Sequence, residues 1–436
     1  MNILLLTANG REHALACIYA KSKKVKKIIM IPGNGLTQGN KIKNYPDVAV
    51  EDFENILKIC KKERIDFVDV SQDNLLAKGY VDHFIKEGIQ TFGPMQKAAQ
   101  IEWDKAWARD FMNKYGLPIP HFATFSETKK AITYVTDYYD NNPEIPVLFI
   151  KATGLAGGKG VIKAETKIQA IDGINAMKQF GASGKIFVIE HALVGKEFSF
   201  FALCDGKDYK SIGGALDNKT VYNKGIGPNT GGMGCSSHPT ILTRKIIREI
   251  EEKIFKPFMK GMQKENRPYE GILYLGGMVT KKGVKIIEFN ARWGDPEAEV
   301  LLPAIKNDYV DVVMAVVDKK LSKLHIQLDN KKRVSVAGCS FGYPDDYKKS
   351  IGKEIFGLPN VLKLKDVTVY GAGIDRKGKQ FFANGGRIFH LVAQEKDIRN
   401  ARRLAYESLS MIYVEGNNLH FRTDIGWQEL ERELSH

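Results

Sequence analysis

The sequence predicts a multidomain chain built from α/β and α+β units: an N-terminal doubly wound parallel sheet, a central α+β body and a small C-terminal α+β unit. Three observations carry this reading. The chain has 436 residues, beyond the roughly 250–300 at which a single core stops growing, so about three units are expected. Roughly the first 100 residues alternate apolar strand and amphipathic helix in a βαβα order. From residue 147 onward, apolar strands are separated by glycine-rich turns instead.

Taken in order, residues 2–6 are an apolar run, Asn9 and Gly10 a turn, and 11–19 carry helical spacing through Ala14, Leu15 and Ile18. A strand at 27–31 leads into the turn Pro32-Gly33-Asn34-Gly35, an amphipathic helix at 53–60 precedes a strand at 66–70, and a helix at 77–87 precedes a strand at 90–92. Loops after such strands face a ligand in doubly wound sheets. Helices are expected at 95–101 and 104–114, ended by Gly116-Leu117-Pro118-Ile119-Pro120. Strands follow at 147–151, 186–190, 197–203, 271–279 and 284–289, with a loop at 153–160. Near Leu324 the pattern shifts to short strands at 334–339, 367–370 and 388–392 and a helix at 397–412.

Composition excludes several classes. With 43% hydrophobic residues the chain is globular, and no apolar run approaches the roughly 20 residues of a spanning helix or forms a signal-peptide core. Five scattered cysteines, Cys17, Cys60, Cys204, Cys235 and Cys339, form neither a C-x-x-C nor a zinc-spaced set, which fits the reducing cytoplasm. The formal charge of +14 suits phosphorylated small substrates, nucleic acid or an acidic membrane. Nucleic acid is disfavoured, because the lysine runs at 21–27 and 129–130 bring no base-reading motif with them.

Four segments carry chemistry. Residues 149–161 place four glycines, Gly157 and Gly158 among them, with Lys151 and Lys159 around one turn, where backbone amides approach phosphate and ammonium groups neutralise it. Gly160 follows Lys159, so this is no Walker A loop; a flexible hairpin is the competing reading. In 188–199, Glu197 suits ribose hydroxyls, although singly Glu190 and Glu197 read as surface carboxylates at a strand end. The loop Gly227-Pro228-Asn229-Thr230-Gly231-Gly232-Met233-Gly234 is nearly free of side chains and offers amides to an anion, or is a mobile surface loop. In 286–297, Glu288, Asn290 and Arg292 share one strand face and Ile287, Phe289 and Ala291 the other. Oxygen ligands beside an arginine are what Mg²⁺ and a transferring phosphoryl group require, whereas a solvated strand face is the plainer alternative.

In this order, these segments resemble the ATP-grasp superfamily of carboxylate-amine ligases. Together with Asn9-Gly10-Arg11-Glu12-His13-Ala14-Leu15, Pro32-Gly33-Asn34, Asn384-Gly385-Gly386-Arg387 and Arg422-Thr423-Asp424-Ile425-Gly426-Trp427, the whole chain resembles the phosphoribosylamine glycine ligase (glycinamide ribonucleotide synthetase) family. The resemblance implies an ATP-dependent ligase of purine biosynthesis that joins glycine to 5-phosphoribosylamine through a glycyl phosphate. It implies that Lys105, Lys151, Gly157, Gly158 and Lys159 hold the ATP phosphates, that Glu190, His191, Ala192 and Leu193 meet adenine, and that Glu197 meets ribose. Glu288 and Asn290 would carry Mg²⁺ or Mn²⁺, and Arg292 would stabilise charge on the phosphoryl group. Gly10, Arg11, Glu12, Asn34, Asp217, Lys219, Asn229, Thr230, Gly231, Gly232, Met233, Gly234, Asp295, Pro296 and Glu297 would surround the other substrates. The domains would be 1–102, an ATP-grasp domain at 103–323 with a lid at about 123–190, and 324–436, in a cytoplasmic monomer or weak dimer binding no nucleic acid or membrane.

The chain departs from the family pattern at Thr7-Ala8-Asn9, where a glycine-rich turn is usual, and at Ser71-Gln72-Asp73, where Gly-Pro-Glu is usual. Trp103-Asp104 and Cys235-Ser236-Ser237 are further departures. A ligase of the same class acting on another phosphorylated amine is the second reading. His13, His191 and His238 are not assigned as bases, because an acyl phosphate is already electrophilic.

Overall fold

The computed structural model describes residues 1–142, 147–154 and 160–434. The first element is a five-stranded parallel sheet in which Asn2–Leu6 lies centrally, between Lys27–Ile31 and Phe67–Asp69, with Ile42–Asn44 and Gln90–Phe92 at the edges. Its central strands are continuous apolar runs, as burial on both faces demands. The order of strands reverses beside Asn2–Leu6, so a crevice opens at the ends of this strand and of Phe67–Asp69. Those ends are Thr7-Ala8-Asn9 and Ser71-Gln72-Asp73, the two altered loops.

The edge strand Ile42–Asn44 is too short and polar to register in the sequence pattern. The helix expected at 77–87 is two helices, Asp73–Ala77 and Tyr80–Lys86, because Gly79 takes a left-handed conformation between them. Asp104 caps the helix Lys105–Lys114 by accepting from the Trp107 N–H at 3.0 Å, and so fixes Lys105 as the first helical residue.

Residues 122–191 contribute a four-stranded antiparallel sheet, ordered Phe122–Phe125, Phe187–His191, Leu148–Ala152 and Val161–Ala164. The helices Thr128–Asn141 and Lys167–Ala176 accompany it, and Ala131, Val135, Ile150, Ile174 and Ile189 share a core cluster of their own. The large sheet runs Gly283–Asn290, Glu270–Thr280, Gly195–Asp205, Tyr209–Asp217, Gly234–Ser237, Lys332–Ser340, Arg387–Glu395 and Val367–Gly371. It passes without interruption from the central to the C-terminal part of the chain, through the pairing of Gly234 with Val336.

Candidate active site

The pocket lies over the strands Gly195–Asp205, Glu270–Thr280 and Gly283–Asn290 and is lined by Glu197, Ser199, Asp217, Lys219, Tyr274 and Ile287. The strand period puts Ile287 on the face opposite Glu288, the face that would turn to the core. A β-bulge opposite Gly276 and Gly277 leaves it unpaired, so Ile286 is buried and Ile287 turns toward the pocket. After the bulge the alternation resumes, with Phe289 buried and Glu288 half-exposed beside Lys219 at 3.7 Å.

Burial alone would raise the Glu288 carboxyl, but Lys219, Lys105, Lys151 and Arg292 hold it at about 2. Lys105 is lowered, first by burial and then by the like charge of Lys151, against the pull of Glu288. Asn290 is buried, with its Oδ1 3.4 Å from Arg292 Nη2 and its Nδ2 without a partner among the described residues. Arg292 is anchored by Glu102 at 2.9 Å and by the Trp293 carbonyl at 3.1 Å. Glu102 also accepts from the Ala291 N–H at 2.7 Å, which locks the end of the strand to the helix Gln96–Trp103.

Glu190 is not the surface carboxylate that its sequence context suggests. It is buried, and accepts from Arg109 Nε at 2.6 Å, Arg109 Nη2 at 2.9 Å and Lys151 Nζ at 2.6 Å. Burial would raise its carboxyl, yet Lys151 and Arg109 hold it at about 2. Arg109 also donates to the Ile287 carbonyl at 2.6 Å, so one guanidinium ties the strand Phe187–His191 to the bulge. The N–H groups of His191 and Ala192 are engaged by the carbonyls of His121 and Val147. Burial, then His121, lowers the His191 imidazole, which sits against His121 and Tyr138. Gly157, Gly158 and Lys159 lie outside the described residues. Glu197 is exposed.

At the centre of the loop 227–234 the backbone amides of Thr230, Gly231, Gly232 and Met233 are already engaged within the chain. Their N–H groups are spent on the Lys219 carbonyl, the Tyr343 hydroxyl, Thr230 Oγ1 and the Asn218 carbonyl. Arg387 clamps the same turn by donating to the Gly231 carbonyl at 2.8 Å and the Asp295 carbonyl at 3.0 Å, and it pairs with Asp295 Oδ1 at 2.9 Å. Gly232 takes φ 116, and a Cβ there would meet Pro296 at 2.5 Å. Asn229 is exposed, and Gly234 begins the next strand. Glu297 is buried and accepts from Ser199 Oγ at 2.8 Å and the Tyr274 hydroxyl at 2.7 Å. Burial, then Glu297, pushes the neighbouring Asp217 carboxyl up.

In the crevice, Gly10 starts the helix Gly10–Lys21, and buried Arg11 pairs with Glu12 at 2.7 Å and donates to the Trp293 carbonyl at 3.1 Å. Asn34 is a brace rather than an open ligand group: its amide donates to the carbonyls of Ala8 and Gly371, and its oxygen accepts from Leu36 and Thr37. His13 is lowered to about 4 by burial and accepts from the Gly371 N–H at 2.8 Å, as befits a structural imidazole.

The two altered loops touch. Gln72 Nε2 donates to Thr7 Oγ1 at 3.1 Å, and Ser71 Oγ donates to Glu12 Oε1 at 2.9 Å. Thr7 has φ 119, a conformation that a β-branched residue holds only against strain. The Gln72 contact compensates part of that strain, so Thr7→Gly and Gln72→Ala should be non-additive in denaturant unfolding, coupled by about 1 kcal/mol. Additivity within about 0.3 kcal/mol would show that the contact contributes nothing.

Sequence reasoning missed Glu102, Arg109 and Tyr274. Each acts through a partner distant in the chain, and no local spacing marks it.

Residues 1–102, 103–298 and 333–428 match, in turn, the N domain, the ATP-grasp (A) domain and the C domain of phosphoribosylglycinamide synthetase. The chain is 39% identical to phosphoribosylamine–glycine ligase of Caldanaerobacter subterraneus subsp. tengcongensis over 429 residues, 98% of this chain and 99% of that one. The crystal structure of phosphoribosylamine–glycine ligase from Thermotoga maritima superposes with a TM-score of 0.79 and 28% identity, over 98% of this chain and 100% of that one. The biotin carboxylase domain of the Hydrogenobacter thermophilus 2-oxoglutarate carboxylase, solved with MgADP, is similar in fold, with a TM-score of 0.70 and 15% identity over 96% and 91% of the two chains.

Proposed function

The chain belongs to the phosphoribosylglycinamide synthetase family and is an ATP-dependent ligase that joins glycine to phosphoribosylamine in purine biosynthesis, and we propose that it does so through a glycyl phosphate formed in the pocket around Glu288. The architecture is that of the family: an N-terminal parallel sheet, a central ATP-grasp domain and a C-terminal domain. We divide the chain at 1–102, 103–323 and 324–436, with residues of about 123–190 closing as a lid. No helix among the described residues is long and apolar enough to cross a membrane.

One observation supports the reading most: a carboxylate held ionised at about 2 among Lys105, Lys151, Lys219 and Arg292. Such a cluster suits a polyphosphate and its cation. Glu288 and the Asn290 side-chain oxygen fit Mg²⁺ as hard oxygen donors, and the ion, when bound, would spread the charge of the phosphates. Lys105 and Lys151, with Lys159, hold the phosphates. Glu197 binds ribose, and the segment 190–193 borders adenine. The phosphoryl group passes from ATP to the glycine carboxylate, while Arg292, fixed by Glu102, meets the charge that develops. The amine of 5-phosphoribosylamine then attacks the acyl carbon, phosphate leaves, and the nitrogen releases its proton. Lid closure keeps water from the acyl phosphate.

An ADP-release assay with Mg-ATP, glycine and freshly generated 5-phosphoribosylamine, omitting each in turn, tests the reading. ADP and glycinamide ribonucleotide are expected only with all three present. Turnover with a different phosphorylated amine, and none with this one, would overturn the acceptor.

A further inference from the structure

We infer that Asp295, Glu299 and His390 form a binding site for one divalent transition ion of the zinc or manganese class, separate from Glu288 and Asn290. The three come from distant parts of the chain: Asp295 follows the strand Gly283–Asn290, Glu299 lies on the helix Glu297–Leu301, and His390 on the strand Arg387–Glu395. One ligand atom from each lies within 4.8 Å of the other two. His390 Nε2 stands 3.3 Å from Asp295 Oδ1 and 4.0 Å from Glu299 Oε1. Oxygen and nitrogen ligands around a tetrahedral ion at about 2.1 Å are about 3.4 Å apart, close to the two His390 distances, so the two carboxylates are the groups that would have to draw together.

The side chains of Glu299 and His390 are wholly buried, and Asp295 is nearly so, at 7% exposure. Among the described residues, neither Glu299 oxygen nor His390 Nδ1 has a hydrogen-bond partner, and His390 Nε2 faces Asp295 Oδ1 at 3.3 Å. A histidine must carry a proton on one nitrogen or be ligated, and an ionised carboxylate sealed from water requires a cation. Arg387 serves Asp295 at 2.9 Å, and Arg11 is taken by Glu12 at 2.7 Å. Among the described residues, Glu299 is left with the imidazole opposite. Burial, then Asp295, pushes the Glu299 carboxyl up, and a dication would displace its proton and ligate His390 in one step. One imidazole with two carboxylates selects zinc or manganese over magnesium.

The backbone of Gly10 closes the site, since a Cβ there would lie 2.4 Å from Glu299 Oε1 and 2.6 Å from His390 Cδ2. The ion would thus pin the start of the first helix, the helix after Glu297 and a C-terminal strand to one another, beside the crevice where Asp295 and Arg387 shape the glycine-rich turn.

The test uses the full chain without nucleotide. Metal content is measured after dialysis against EDTA and reloading with Zn²⁺ or Mn²⁺, with thermal unfolding followed in parallel. We expect one equivalent per chain that raises the melting temperature of the wild type. Glu299→Gln and His390→Gln should each lose that equivalent, with affinity for Zn²⁺ against a chromophoric chelator falling roughly 100-fold or more. A wild type that retains no ion and melts alike with and without it overturns the site, without reference to turnover. So does a Glu299→Gln variant that keeps the bound equivalent with unchanged affinity, because Glu299 is then no ligand.

Discussion

Glu288→Gln is expected to lower kcat by at least about 100-fold at saturating Mg-ATP, glycine and 5-phosphoribosylamine, while the melting temperature stays within a few degrees of wild type. The side chain is half-exposed and, among the described residues, pairs with Lys219 at 3.7 Å, so its neutralisation removes no core packing. What it removes is one negative charge that faces Lys219, Lys105, Lys151 and Arg292 together. Without it, phosphates remain attracted and the cation that accompanies them is not. The KM for ATP should therefore change far less than kcat, the signature of an interaction made in the transition state. Because Glu288 is held at about 2, it stays ionised throughout the usual assay range, and its titration should not shape a rate profile between pH 6 and 9. Coupled ADP release alongside thermal unfolding measures all three quantities. An unchanged kcat would take the metal away from this residue.

The parts legible in the sequence were those whose chemistry is local. The parallel sheet announced itself in the runs 2–6 and 27–31, because strands buried on both faces have no polar positions to hide the pattern. Glu288, Asn290 and Arg292 were legible because the strand period puts them together. Ile287 was misplaced, since a bulge is a property of two strands in register and the bulged residue carries no mark of it. Gly79 split a helix whose apolar spacing runs through both halves. The glycine-rich turn was read as a set of free amides because its partners, Tyr343 and Arg387, lie more than a hundred positions away. Asp295, Glu299 and His390 escaped a search built on short His and Cys spacings for the same reason, since the imidazole meets the carboxylates only after the C-terminal strands join the central sheet. The carboxylate-arginine pairs that fix the pocket walls, Glu102 with Arg292 and Glu190 with Arg109, are likewise products of the fold, and they explain why the pocket's charges stay in place before any ligand arrives.

The largest stability loss is expected from Glu190→Gln. This change is nearly isosteric, so it leaves packing intact and isolates charge. Arg109 and Lys151 are both buried, and Glu190 is the carboxylate that holds them, through three contacts of 2.6 to 2.9 Å. Removing one member of a buried ionic cluster leaves uncompensated charge and costs about 3–5 kcal/mol. The pH dependence gives a second reading. The carboxyl sits at about 2 in the folded chain against an ordinary value of 4.5, so its contribution is complete above about pH 4.5 and is lost as pH falls toward 2. The gap in unfolding free energy between wild type and Glu190→Gln should therefore be equal at pH 7 and pH 5.5 and should narrow below about pH 4.5. A gap of constant size down to pH 3 would mean that the carboxylate is not held by these cations. Activity should fall in the variant even where it remains folded, because Lys151, released from Glu190, is no longer fixed beside Lys105, and a phosphate cradle depends on where its charges stand before the nucleotide enters.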